Sequence, residues 1–469
     1  MGRWRGTGWA RALGVAAILA ALTAGSVAPA EAGHGPRPHT SAKGAQTVLL
    51  YGHPMQRTVH RSRRRRVAVA AVVAAGAATI AVVHGRHHSA PSLPNTYGSI
   101  HMVASLEGGH VQLDQQKLQL IAQHDSVVVA QPRKMRRVGS TLKSLNPSLV
   151  LVVYENGMYS TPSDPPNLPS SWYLLDSSGA RIHAARHPVN TLMNPLSTAP
   201  FRFQGTTYRG WAAFVAGRCV ADQTPQTTGC YLDMLGISPL NPGWNAGGVM
   251  PVNPSNGRPF TPGGFERNDL RVAAATRSVL PSGSFVFANG YSDGTPYTTA
   301  TNALNGQVNA GEAQTWLSRN ALSLTPAEWA ADVQMVMSSA RAGSSMMVRY
   351  QCNCSGSSVD AQREYALATY LLANTGRAFF DFEYNGTKDF ESWSPLYDLN
   401  LGLPQQTETS VSGYLRGGAY QRAYSGGLVV VNPAGSQVTV RLSRTYRDLS
   451  GRQVHSVTLA PRSASILTT

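Results

Sequence analysis

The residues able to do chemistry in this 469-residue chain are acids and amides that close short apolar runs. Glu107 ends one run, and Tyr154 and Glu155 end another. Asp233 lies in Cys230-Tyr-Leu-Asp-Met-Leu, Asn289 ends the next run, and Glu312 sits in Ala310-Gly-Glu-Ala-Gln-Thr-Trp. Gln351 and Asn353 follow a seventh run, and Asp381 and Glu383 belong to an eighth. Carboxyls that share a site suit bond cleavage by proton transfer, because one acid protonates a leaving oxygen while a carboxylate attacks carbon or activates water. Taken singly, each acid reads more simply as a solvated loop charge. Their recurrence at run ends is what argues for one shared site. Tyr154, Tyr159, Trp244, Tyr291, Trp316 and Tyr384 lie near the same ends and are candidates to stack on sugar rings. There is no phosphate-binding P-loop, no strand-linked G-x-G-x-x-G and no H-E-x-x-H, so no cofactor and no metal are expected.

Positioning such residues requires a scaffold in which strand ends converge. From Ser99 onward, apolar runs alternate with longer amphipathic stretches, the pattern of a parallel sheet with crossover helices. Eight runs are counted: 99–107, 126–131, 149–156, 229–235, 285–290, 306–312, 345–351 and 378–384. The mostly apolar character of the first four fits strands buried on both faces, and eight is the number of a (β/α)8 barrel, whose reacting groups sit at the C-terminal ends of the strands. Thr325-Pro-Ala-Glu opens a helix toward Ala342 with a capping box, and 267–280 and 358–375 are further helical stretches. The third connection, 157–228, is the longest and is rich in Pro and Gly. After about Gln405 only strands are expected, at 427–432, 437–442 and 454–467 with a turn at 448–452. The expected fold is therefore α/β, a (β/α)8 TIM barrel over 91–404 with a small antiparallel, β-sandwich-like domain over 405–469. The small domain reads as a structural cap on the barrel in preference to a separate sugar-binding module.

The formal charge of +16 is concentrated at the start of the chain. Residues 1–90 hold 12 Lys and Arg against one acid, Glu31, leaving 28 basic and 23 acidic residues elsewhere. Nucleic acid is accordingly not the expected partner. Arg3, Arg5 and Arg11 precede the apolar stretch Leu13 to Val27, and Ala30-Glu31-Ala32 then offers the small-x-small pattern of a signal-peptidase site, together the pattern of a secretory signal. Arg63 to Arg66 then lead into Val67 to Val83, a second signal peptide or a short membrane anchor. Both readings place the barrel outside the cytoplasm, secreted or membrane-anchored. In an oxidising compartment Cys219 and Cys230 are expected to close the loop between them, whereas Cys352 and Cys354 are too close for an easy mutual bridge and are expected as free thiols.

Leu149-Val-Leu-Val-Val-Tyr-Glu-Asn, Trp172-Tyr-Leu-Leu-Asp with Gly179 following, Tyr231-Leu-Asp, Phe287-Ala-Asn-Gly, Gly311-Glu and Asn432-Pro together resemble the hypothetical glycosyl-hydrolase family 15 of TIM-barrel proteins, distinct from the glucoamylases. The resemblance covers most of 97–469 and implies a carbohydrate-active barrel similar in strand order to α-galactosidase-like barrels, whose two acids follow strands four and six. Carried onto this sequence, it implies Asp233 as nucleophile or base and Glu312 as general acid. Glu107, Tyr154, Glu155, Asn289, Trp316, Gln351, Asp381 and Glu383 are then expected to bind a poly- or oligosaccharide. The rival readings are a carbohydrate-binding barrel without turnover and a structural envelope protein.

Overall fold

The computed structural model describes residues 93–107, 112–291, 304–318 and 324–469. The export signals and spacer expected at 1–90 lie outside the described residues. Among the described residues, no helix is long and apolar enough to cross a membrane.

Eight parallel strands form one sheet in sequence order: β1 (Met102–Leu106), β2 (Asp125–Ala130), β3 (Val150–Asn156), β4 (Gly229–Asp233), β5 (Phe285–Asn289), β6 (Ala310–Ala313), β7 (Ser345–Cys352) and β8 (Ala378–Tyr384). A parallel pairing of Met102 with Phe380 joins β1 to β8 and closes the sheet into a barrel. The sixth strand starts at Ala310, later than its apolar run suggested. Residues 304–308 form a turn in which Gln307 and Val308 donate to the carbonyl of Leu304, and Gly306 has φ 80°.

The crossover helices form because their apolar residues recur at helical spacing. In α1 (Gln115–His124), Leu118, Ile121 and Ala122 are buried, and Asp114 caps the first turn by accepting from the Lys117 amide. In α2 (Pro132–Leu145), Met135, Val138, Gly139 and Leu142 form one buried stripe, steps of three and four residues apart. The long third connection is more ordered than its composition suggested. It contains two short hairpins, Tyr159–Ser160 with Thr191–Leu192 and Pro200–Phe203 with Thr206–Arg209, then α3 (Trp211–Ala221). The hydroxyl of Thr261 caps α4 (Pro262–Val279), which begins five residues before the expected start. The expected capping box of Thr325 and Glu328 opens α5 (Pro326–Arg341), and α6 (Ser357–Ala373) precedes the last barrel strand.

The C-terminal sheet is antiparallel: β9 (Leu415–Arg416), β10 (Ala419–Tyr424), β11 (Gly427–Asn432), β12 (Val438–Arg447), β13 (Gln453–Leu459) and β14 (Ser463–Thr468), in the spatial order β9-β10-β11-β14-β12-β13. The single run expected at 454–467 is two strands, broken where Arg462 adopts φ 51° after Pro461. The sheet is tied to the barrel by Arg422, a fully buried guanidinium on β10 that donates to the carbonyls of Leu371 at 2.8 Å and Leu372 at 3.1 Å and to that of Asn374. These are carbonyls at the end of α6 that no further helical turn can satisfy.

Candidate active site

Side chains alternate along a strand, so parity decides which residues enter the barrel. Its interior is packed by Val103, Val127, Val129, Val150, Val152, Tyr231, Phe285, Phe287, Ala310, Met347 and Phe379. The same parity carried to the C-terminal ends brings in Glu107 after β1, Tyr154 on β3, Asp233 on β4, Asn289 on β5, Glu312 on β6, Arg349 and Gln351 on β7, and Asp381 and Glu383 on β8. The apolar filling thus gives way to a polar layer at the C-terminal end, the end where barrels of this kind place reacting groups.

Asp233 is the best-oriented carboxylate of that layer. Its Oδ2 accepts from the Tyr154 hydroxyl at 2.5 Å, and its Oδ1 accepts from the Asn289 amide and from the Met234 backbone N–H, each at 2.8 Å. Asn289 Nδ2 also donates to Gln314 Oε1 at 2.8 Å, which fixes the amide that holds the acid. The N–H of Met234 reaches back because that residue adopts φ 60°, a left-handed conformation costly for a side-chain-bearing residue. Two glycines let the following loop lie against β5. A Cβ on Gly236 would come within 2.5 Å of the Gly290 carbonyl oxygen, and one on Gly290 within 2.0 Å of that of Leu235.

Glu312 lies deeper and is 3 % exposed. Tyr231 donates to its Oε2, and Arg349 Nη2 lies 2.9 Å from its Oε1. Burial pushes this carboxyl up to about 8, with the charge of Glu107 adding to the rise, against the opposing effects of Arg349 and the Tyr231 hydrogen bond. Arg349 also donates through Nε to Asp381 at 2.6 Å and lies 3.7 Å from Glu107 Oε1. Burial alone would lower Arg349, but Glu312, Asp381 and Glu107 outweigh it and hold the guanidinium charged. Glu107 is raised by burial and by Asp233, against Arg349, and its side chain keeps 18 % of its surface open. On the β8 side, Glu383 accepts from Gln351 Nε2 at 3.1 Å and pairs with Lys388, whose charge outweighs burial and holds Glu383 below the usual carboxylate range.

Two of the expected binding residues lie elsewhere. Glu155 is one position off the inward parity and faces α3, where Arg218 Nη2 lies 2.6 Å from it. Burial pushes its carboxyl up to about 8 despite Arg218. Trp316 is fully buried in the main apolar core, its indole N–H directed at the Asp332 carbonyl at 3.2 Å, so it offers no face to a ligand. Tyr159 and Tyr291 are likewise core residues, 2 % and 1 % exposed. The reading of the chain missed Tyr231, Gln314, Arg349 and Lys388. For Arg349 the signal was present: a guanidinium in the middle of the apolar strand Ser345-Met-Met-Val-Arg-Tyr-Gln needs buried acids beside it.

The Cys219–Cys230 bridge is present and joins α3 to the start of β4, with Cα atoms 6.1 Å apart. Cys352 and Cys354 are bonded to each other and are not the free thiols expected, because the chain bends past the end of β7 and brings their Cα atoms to 5.3 Å. Among the described residues no group of His, Cys, Asp and Glu is arranged to hold a metal ion.

No protein-family profile and no curated protein matches this chain. Solved structures that it resembles include a trehalose-6-phosphate hydrolase of Bacillus licheniformis at 9 % identity, covering 80 % of this chain and 100 % of that one with a TM-score of 0.42. A GH27 β-L-arabinopyranosidase of Geobacillus stearothermophilus is 11 % identical over 79 % of this chain and 97 % of its own, with a TM-score of 0.42. A glycoside hydrolase family 30 subfamily 8 xylanase of Clostridium acetobutylicum is 8 % identical over 80 % and 97 %, with a TM-score of 0.34. At such identities and TM-scores, none of these proteins lends its substrate or its mechanism to this chain.

Proposed function

We propose that this protein is an O-glycosyl hydrolase acting on an extracellular or cell-envelope polysaccharide through two carboxyl groups, Asp233 and Glu312. The observation that carries the proposal is the division of labour between them. Asp233 is oriented by three hydrogen-bond donors, while Glu312 on β6 of the same barrel end is buried and its carboxyl is pushed up to about 8. In the proposed reaction Glu312 gives its proton to the glycosidic oxygen as the bond to the anomeric carbon breaks, and Asp233 attacks that carbon or takes a proton from the water that does. The export signals at 1–90 and the motif resemblance to hypothetical glycosyl-hydrolase family 15 support the envelope-side substrate.

A second reading gives the proton-donor role to Glu107. Both oxygens of Glu312 are engaged, by Tyr231 and Arg349, whereas Glu107 is more open and its Oε1 has no hydrogen-bond partner among the described residues. The test is release of reducing ends from a polysaccharide panel by wild type, Asp233→Asn, Glu312→Gln and Glu107→Gln. Losses of roughly 10² to 10⁴ are expected on removing a proton-transfer group. Near-normal turnover by Asp233→Asn would remove Asp233 from the mechanism. A deep loss with Glu107→Gln and a shallow one with Glu312→Gln would select the second reading. A wild type that binds sugar without cleaving it would leave a carbohydrate-binding barrel.

A further inference from the structure

The hairpin of β12 and β13 turns one face inward and leaves the other to solvent. Val440, Leu442, Tyr446 and Leu459 pack with Leu428, Val430 and Leu467 inside the small domain. The opposite face carries Thr439 beside Thr458, with hydroxyls 3.0 Å apart, Arg441 opposite Ser456, and Thr445 bonded to His455 at 3.1 Å. Arg441, Arg444, Arg447 and Arg452 are all exposed. Residues 436–469 contain five arginines and one acid, Asp448, and Arg452 Nε already donates to that acid at 3.0 Å. The segment contains one aromatic residue, Tyr446, which is buried. With no Phe, Tyr or Trp on its outer face, the hairpin lacks the broad stacking platform that neutral sugars need. Guanidinium groups interleaved with hydroxyls on an extended strand suit a linear polymer that carries repeated carboxylates, because Arg forms two parallel hydrogen bonds to such a group.

We propose that the outer face of the β12–β13 hairpin is a docking surface for an acidic, carboxylate-bearing polysaccharide, separate from the barrel mouth. It concentrates the protein on an anionic matrix irrespective of what the barrel cleaves.

The test uses the full chain and polygalacturonate as the probe, with neutral dextran beside it, in a surface binding assay at low salt. Wild type should bind polygalacturonate and not dextran, and binding should weaken as salt screens the exposed charges. Arg441→Glu with Arg447→Glu should lower the affinity at least about tenfold. Arg441→Gln with Arg447→Gln should fall between, and both should melt close to wild type, since the side chains are exposed and the bond given up is the surface one from Arg447 Nη1 to the Gly451 carbonyl. Because the whole chain is basic, a control reverses two exposed arginines on α2, Arg133→Glu with Arg137→Glu, and should leave binding near the wild-type level. The proposal is overturned if the α2 control loses as much as the hairpin variant, if the hairpin variant binds like wild type, or if the wild type is captured by anionic lipid vesicles and not by polygalacturonate.

Discussion

Arg349→Met removes the buried guanidinium shared by Glu312, Asp381 and Glu107 and gives the sharpest test of how the polar layer is held. Arg349 is 2 % exposed and lies 2.9 Å from Glu312, 2.6 Å from Asp381 and 3.7 Å from Glu107. Deleting one partner of a buried ion pair costs about 3–5 kcal/mol, because the other charge is left without compensation. Against a total stability of roughly 5–15 kcal/mol this is readily measured by urea unfolding. The loss should depend on pH, and its sign follows from which form binds protons. Without the guanidinium, Glu312 takes up a proton still more readily in the folded state than in the unfolded chain. A carboxyl whose folded pKa is raised contributes stability that is fully present below its unfolded value and is lost as pH rises through the folded value. Glu312 already stands at about 8 with Arg349 in place. The variant should therefore lie closest to wild type near pH 5 and fall furthest behind it near and above pH 8. Arg349→Met combined with Glu312→Gln and Asp381→Asn should recover much of the loss, since no buried charge is then left alone. An equal loss at both pH values, or a triple variant less stable than the single one, would refute this account of the layer.

Three further outcomes follow from the same geometry. Tyr154→Phe removes a hydrogen bond to the Asp233 carboxylate, and on a verified substrate kcat should fall roughly 10- to 100-fold, with the melting temperature nearly unchanged. If Glu312 is the proton donor, kcat/KM should decline as pH rises through about 8 and the donor loses its proton, and the residual activity of Glu312→Gln should lack that decline. Cys219→Ser with Cys230→Ser opens a loop of 11 residues in sequence separation, and urea unfolding should show a loss of about 2–3 kcal/mol with the barrel still folding.

The barrel was legible because strands covered on both faces have no polar side to show, so most of the eight read as apolar runs between turns, the sixth with its Gln307 and Asn309 being the weakest. Side-chain direction was legible only in part. Tyr154 and Glu155 are neighbours, and an apolar run gives no parity from which to choose between them. Val150 and Val152 point inward while Leu151 and Val153 pack under the helices, so four similar residues conceal the alternation that sends Tyr154 to Asp233 and Glu155 to Arg218. Trp316 was misjudged because an indole near a strand end looks like a platform until its N–H is found on the Asp332 carbonyl. The split of 454–467 into two strands was marked by Pro461, a residue that cannot continue a central strand.

The distribution of costly features within the barrel favours the proposed site independently of any motif. Valine and phenylalanine fill the interior toward the N-terminal ends of the strands, whereas the opposite end holds a buried guanidinium, two buried acids, and a left-handed backbone at Met234. An apolar filling of similar volume would stabilise that end at least as well, since buried ion pairs seldom exceed well-packed hydrocarbon in net stability. A barrel under selection for stability alone would have no reason to treat its two ends differently. Arg349 fastens Glu312 and Asp381 in place, and the left-handed turn at Met234 aims one more donor at the Asp233 carboxylate. Each costly feature thus acts on the orientation or protonation of an acid at the mouth, which is the arrangement expected where acids must be held ready for a substrate.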